Sequence, residues 1–207
     1  MSASRLEAEN LQLWRGERHV LRGLSFALAP GECLKLTGVN GAGKTSLLRT
    51  IAGLICPEEG ALRWDGRDIR RDLRSFQGGI AYLGHEPPLK ADLTGRENLR
   101  YWVGTRRRVS EPQLQQQLAR VGAAPFADRP VRSLSAGQRR RVALAGLALM
   151  GVPLWLLDEP ATNLDAQGQQ LVGELIAEQL TRGGLAVAAV HHDLPGLKAV
   201  RQLELAA

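Results

Sequence analysis

Apolar and polar positions alternate over residues 6–13 (Leu-Glu-Ala-Glu-Asn-Leu-Gln-Leu), which predicts a strand with one buried face, and they alternate again over 24–28. Pro30-Gly31 signals a turn ahead of a third run, Cys33-Leu34-Lys35-Leu36-Thr37. A glycine-rich loop follows, then a predicted helix over 45–52 that Gly53 stops. Residues 60–65 return as a strand and turn, and 80–83 as a short strand. From 86 to 134 the texture changes: apolar residues recur at helical spacing, 113–117 is rich in glutamine, and Gly122 and Pro125 interrupt the pattern. That stretch predicts a mostly helical insertion. Beyond it, 136–150 and 166–181 read as helices, and 154–157 and 185–190 as fully buried strands. Strands alternating with helices predict an α/β chain with a largely parallel sheet covered on both faces, and the antiparallel-looking start predicts a smaller β-subdomain.

Composition narrows the picture. A chain of 207 residues has room for one domain with a proper core. With 44% hydrophobic and 23% charged residues it is ordinary globular material, while 4% aromatics argue against a stacking platform for single strands. Cys33 and Cys56 supply neither a disulfide framework nor a metal-site spacing, which points to a reducing, cytosolic setting. The net charge of +6 permits contact with nucleic acid or anionic lipid without requiring either. The cations are strongly skewed, since only four of the 27 are lysines (Lys35, Lys44, Lys90, Lys198). The apolar stretches at 147–157 and 185–190 fall short of the roughly 20 residues needed to cross a bilayer. The first fourteen residues carry no apolar signal region, so a membrane role is expected to come through a partner.

The chemistry lies in two segments. Gly38-Val39-Asn40-Gly41-Ala42-Gly43-Lys44-Thr45 fits G-x-x-x-x-G-K-[ST] and sits between a predicted strand and a predicted helix. Glycines let consecutive N–H groups converge on one anion, and the helix N-terminus adds favourable partial charge. Lys44 is placed to reach the β- and γ-phosphates, and the Thr45 hydroxyl to ligate Mg²⁺, with Ser46 next along the same turn. The second segment, Leu154-Trp155-Leu156-Leu157-Asp158-Glu159, is a buried strand ending in two carboxylates, as a site at the carboxyl end of a parallel sheet requires. Asp158 is expected to hold Mg²⁺ and Glu159 to polarise the attacking water.

Between these halves lies Leu134-Ser135-Ala136-Gly137-Gln138, which resembles the LSGGQ signature of ABC-type ATPases with Ala136 in place of the first glycine. Asn163-Leu164-Asp165 resembles the D-loop of that family, and His192-Asp193, after the 185–190 strand, its switch histidine. The resemblance spans essentially the whole chain. It implies a P-loop NTPase fold with a mostly parallel core sheet, an N-terminal antiparallel β-subdomain and a helical subdomain insertion. Residues 1–207 would form a single ABC ATPase domain, with 1–85 and 135–207 as core and β-subdomain and 86–134 as the helical part. Ser135 and the Gly137 N–H, at a helix start, offer an anion site without a lysine. Such a site serves ATP bound by a second copy, and the family implies two subunits arranged head-to-tail with ATP sandwiched between them. The run Arg139-Arg140-Arg141 reads as a solvated helix face with salt bridges.

Two positions depart from the family pattern. His85 occupies the slot where a glutamine usually senses the γ-phosphate; it keeps that role with altered coupling or is a bystander. Arg15, with Trp14 beside it, stands where an aromatic usually stacks on adenine; either can lie on the base, and Trp14 can equally be core. Among ABC proteins the closest resemblance is to the ATP-binding subunit of the cytochrome c maturation, or haem exporter, system. It lies in the compact length, in Trp14-Arg15-Gly16-Glu17-Arg18 and in the run from Tyr82 to Thr94. That resemblance implies ATP and Mg²⁺ as cofactors, with a second copy, an integral membrane transporter subunit and further haem-handling membrane proteins as partners, and no nucleic acid. It places the chain peripherally on the cytoplasmic face of the bacterial inner membrane. The rival readings are the ATPase of another ABC importer or exporter, and a soluble ABC ATPase acting on nucleic acid or ribosomes.

Overall fold

Along each central strand the apolar side chains point alternately to two different cores, and that alternation sets the layers. The computed structural model describes residues 5–190, 194–197 and 200–205. Strands β3 (Cys33–Thr37), β6 (Ile80–Leu83), β7 (Leu154–Asp158), β8 (Leu185–Ala189) and β9 (Arg201–Glu204) form a five-stranded sheet in the order β6-β7-β8-β3-β9. Each pairing in it is parallel. On β7, Leu154 and Leu156 enter one cluster with Leu34, Leu36 and Val187, while Trp155 and Leu157 enter the other with Ala186 and Ala188. Both faces are therefore covered, as the continuous apolar runs require.

The first cluster also takes in α1 (Lys44–Ile51) and the inner face of a second, antiparallel sheet. That sheet is β2-β1-β4-β5, built from β1 (Leu6–Arg15), β2 (Arg18–Leu28), β4 (Glu59–Trp64) and β5 (Arg67–Asp68). The second cluster joins α5 (Ala136–Met150) and α6 (Ala166–Thr181) to α3 (Gly95–Gly104) and α4 (Glu111–Arg120) from the helical stretch. α5 buries Val142 through Leu147 almost without a break, because other elements surround it. Gly146 admits the Trp102 ring: a Cβ there would stand 2.4 Å from it.

β2, α2 (Leu73–Gly78) and β9 depart most from the sequence pattern. β2 begins at Arg18 rather than near residue 24, since Arg18, Arg22 and Gly23 break the alternation and register shifts interrupt its pairing with β1. The short helix α2 buries only Phe76, and the edge strand β9 (Arg-Gln-Leu-Glu) is almost wholly exposed, so neither carries an apolar signature.

α3 and α4 begin with full capping boxes, Thr94 with Glu97 and Ser110 with Gln113. Arg96 then fastens the two starts together. It donates to Asp128 Oδ1 at 2.7 Å, to Glu111 Oε1 at 2.7 Å and to Gln115 Oε1 at 3.0 Å. The Arg96 guanidinium holds the Asp128 carboxyl below its usual range, and Arg100, aided by Arg96, does the same for Glu111. A depressed carboxylate pKa contributes stability above the unfolded value near 4, and that contribution fades as pH falls through the folded value. Arg96→Met is therefore expected to lower the urea midpoint at pH 7. The gap to the parent should close below about pH 4 in circular dichroism titrations.

Candidate functional site

The carboxyl ends of the parallel strands converge at one edge, and the glycine-rich loop leaves β3 there. Gly38, Gly41 and Gly43 all have positive φ (134°, 83° and 105°). Two of these positions are also sterically closed: a Cβ at Gly38 would stand 2.5 Å from the Leu205 carbonyl oxygen, and one at Gly43 2.6 Å from Val20. Ala42 and Gly43 are buried beneath the loop, while Val39, Asn40 and Gly41 form its exposed rim. Gly43 stands at the N-cap of α1 without a side-chain cap, which leaves the first N–H groups of the helix for a ligand. Lys44 is buried and folds back over the loop, with Nζ donating to the Gly38 carbonyl at 2.6 Å and to Val39 at 3.1 Å.

The acidic strand end meets this loop directly. The Thr45 hydroxyl donates to Asp158 Oδ2 at 2.8 Å, and Asp158 is 4% exposed. A buried carboxylate paired with a hydroxyl, both oxygen donors, suits a hard cation such as Mg²⁺ that takes its remaining ligands from phosphate and water. Among the described residues no cluster of three or more His, Cys, Asp or Glu could cage a metal without such help. Glu159 follows with φ of 51°, a left-handed backbone uncommon outside glycine. Its N–H donates to the Ala189 carbonyl at 3.0 Å, and its Oε2 accepts from the Thr162 hydroxyl at 3.1 Å. His85 brings Nδ1 to 3.8 Å from the same oxygen while remaining largely exposed.

The signature residues lie elsewhere. Ser135 caps α5: its hydroxyl accepts from Gln138 N at 3.2 Å, and Gln138 Oε1 accepts from Ser135 N at 2.9 Å. Leu134 is buried beneath them, and Ser135 and Ala136 are exposed. Gly137 packs on the next loop so closely that a Cβ would stand 2.6 Å from the Asn163 carbonyl oxygen. Asp165 caps α6 by accepting from Gly168 N at 2.9 Å and also pairs with Arg141 at 2.8 Å. The Gly168 N–H, seconded by Arg141, keeps its carboxyl below the usual range. Ser135, Gly137, Gln138, Asn163 and Asp165 open together into a cleft of about 720 Å³ that none of residues 38–46 lines. The signature residues thus open into a cleft that the phosphate loop of the same chain does not line.

The remaining expectations divide. Trp14 is not core: it is 36% exposed and stacks on His19 at 3.9 Å between centroids and 5° between planes. Arg15 is exposed beside it. Arg18, which the sequence pattern left without a role, stands over the glycine loop with its guanidinium 3.5 Å from where a Gly41 Cβ would be. The signal for it was only its place just after the Trp-Arg-Gly-Glu turn. The solvated arginine face expected at 139–141 is corrected. Arg139 donates to the Leu134 carbonyl, Arg140 is 2% exposed, and Arg141 bridges the Val121 carbonyl and Asp165. Burial lowers the pKa of the Arg140 guanidinium, and the nearby Asp158 and Glu159 partly offset this. Cys56 is exposed in a loop, and buried Cys33 has its thiol pushed up to about 12 by desolvation. His192, the expected switch histidine, lies outside the described residues, as does His191.

The family model described as ABC transporter matches residues 21–162, from the strand under the loop to just past Glu159. The chain belongs to the ABC transporter family. Within it, the chain is 48% identical over 206 residues to the cytochrome c biogenesis ATP-binding export protein CcmA of Methylococcus capsulatus, covering 99% of this chain and 100% of that one. It is 44% identical over 189 residues to the Yersinia pestis protein of the same name, covering 91% and 87%. In fold it matches a putative ABC transporter ATP-binding protein from Pyrococcus furiosus with a TM-score of 0.85, 24% identity and 98% coverage of both chains. As an ABC subunit the chain binds ATP and is an ATPase coupled to a membrane transporter. Among the described residues no helix is long and apolar enough to cross a membrane itself.

The position of Arg18 in this ATP-binding subunit yields a direct check. A cation over the phosphate loop, with no carboxylate partner among the described residues, is worth about one charge-assisted hydrogen bond, reduced by solvent. Arg18→Ala is expected to weaken binding of both MgATP and MgADP roughly threefold to tenfold in a fluorescent-nucleotide titration. Unchanged affinity would place Arg18 outside the nucleotide site.

Proposed function

We propose that the chain is the ATP-hydrolysing, energy-coupling subunit of a bacterial ABC complex for cytochrome c biogenesis. In this reading it works as a head-to-tail pair on the cytoplasmic face of the inner membrane, with an integral membrane subunit and further haem-handling membrane proteins. The chemical half of the reading is carried by the Thr45–Asp158 hydrogen bond, which joins the phosphate loop to the acidic strand end and leaves Glu159 beside them. The biological half is supported by the relatives named cytochrome c biogenesis ATP-binding export protein, which cover nearly the whole chain.

The residues divide the work as follows. The loop at 38–45 and the start of α1 cradle the phosphates with backbone N–H groups, and Lys44 leaves its two carbonyl partners to meet them. Thr45 and Asp158 are placed to hold Mg²⁺, whose charge would offset that building up on the phosphate oxygens. Glu159 takes the proton of the attacking water, held by Thr162 and approached by His85. Ser135 and Gly137 open into a cleft that their own phosphate loop does not line, so they serve the nucleotide of a second copy. His192 is assigned to the γ-phosphate by resemblance. Loss of the γ-phosphate removes the charge that joins the two copies, and the pair opens.

Removing the base while keeping its shape separates chemistry from closure. Glu159→Gln is expected to lower turnover by about 10²–10⁴, the ordinary worth of a positioned base. It should also accumulate as an ATP-dependent dimer in analytical ultracentrifugation. Near-normal turnover would remove Glu159 from its role, and a strictly monomeric MgATP-loaded variant would remove the shared-site reading.

A further inference from the structure

Arg140 is the largest fully buried charged side chain among the described residues, and the catalytic account above leaves it without a task. It sits one turn into α5, the helix whose first residues present Ser135 and Gly137 to the outer cleft. Its two terminal nitrogens do not meet a carboxylate. One donates to the Gly84 carbonyl at 2.9 Å and the other to the His85 carbonyl at 2.6 Å. Those carbonyls belong to the loop that carries His85 to within 3.8 Å of Glu159. Burying a guanidinium for two backbone acceptors is costly, and a solvent-facing lysine or glutamine would cap the helix surface without that cost.

We infer that Arg140 is a positioning residue: its forked pair of hydrogen bonds fastens the His85 loop to the signature helix, so that the two move as one body when a second copy's nucleotide engages Ser135 and Gly137. The inference rests on the shared-site reading above. A planar fork with two donors at fixed spacing suits two successive carbonyls, which a single ammonium cannot match. The consequence is a mechanical link from the outer cleft of one copy to the water-activating carboxylate of the same copy.

The test uses the full chain in the Glu159→Gln background with MgATP, read by hydrogen exchange in peptides covering 84–88 and 134–139. In the parent, dimer formation should slow exchange in both peptides. With Arg140→Gln, protection at 134–139 should persist while that at 84–88 falls about tenfold, the scale of one lost charge-assisted hydrogen bond. Arg140→Lys should give intermediate protection at 84–88. Parent-like protection at 84–88 in Arg140→Gln overturns the inference. Should Arg140→Gln fail to fold, Arg140→Lys decides: intermediate protection supports the link, and parent-like protection overturns it. A parent that never dimerises overturns the shared-site reading, and this inference with it.

Discussion

The site depends on three strands ending at the same height. Asp158 of β7 pairs with Ala189 of β8, and Ala189 pairs in turn with Leu36 of β3, so the three residues lie in one row across the sheet. Two residues past Leu36 the backbone turns into the glycine loop, and one residue past Asp158 it turns left-handed at Glu159. Only with that row in register can the Thr45 hydroxyl reach over the end of β8 to Asp158. A slip of one residue would send Asp158 to the opposite face and bury its neighbour's apolar side chain in the wrong core. The two apolar clusters, which take alternate residues of β7, are what forbid the slip.

Apolar packing fixes the sheet but not the orientation of the helical segment laid on it, because hydrophobic contact is non-directional. Arginines supply the direction. Arg106, just beyond α3, donates to the Gln77, Gly78 and Ile80 carbonyls and so grips the end of α2 and the start of β6. Arg120 of α4 pairs with Glu178 of α6, and Arg141 ties α5 to both the Val121 carbonyl and Asp165. Arg120 and Arg141 each use both terminal nitrogens of one planar group, which lysine cannot copy. The skew from lysine to arginine thus acquires a structural reason. It also lowers the weight of the +6 charge as a sign of a polyanionic partner, since several of these cations are committed to contacts within the chain.

Much of this was legible beforehand, and the boundary is physical. The buried strands, α5 and α6 were plain because every face or every second residue is apolar, and the observed limits of α5 and α6 coincide with those read from the pattern. The loop at 38–45 and the pair Asp158-Glu159 were plain because their chemistry admits few residue types. What stayed hidden was carried by polar groups or by backbone. β9 has no apolar face, and Arg140 looks like its two arginine neighbours until the carbonyls it reaches are known. Trp14 could not be placed from the sequence, since a strand tryptophan is as readily buried as stacked, and its partner His19 lies across a tight turn.

The signature turn shows why one departure from the family pattern is tolerated and a neighbouring one would not be. Ala136 is the first residue of α5, with an ordinary helical backbone and its methyl exposed, so nothing in the chain demands glycine there. Gly137 has no such freedom, because the Asn163 carbonyl lies where a Cβ would go. That contact joins the signature turn to the loop leading to Asp165, while the reciprocal bonds of Ser135 and Gln138 hold the turn from the other side. The donors at this corner are therefore set before any ligand arrives. In the proposed head-to-tail pair, closing on a second copy's nucleotide would then be docking of a formed surface rather than folding of a loose one, which spares the ordering entropy that such contacts otherwise cost.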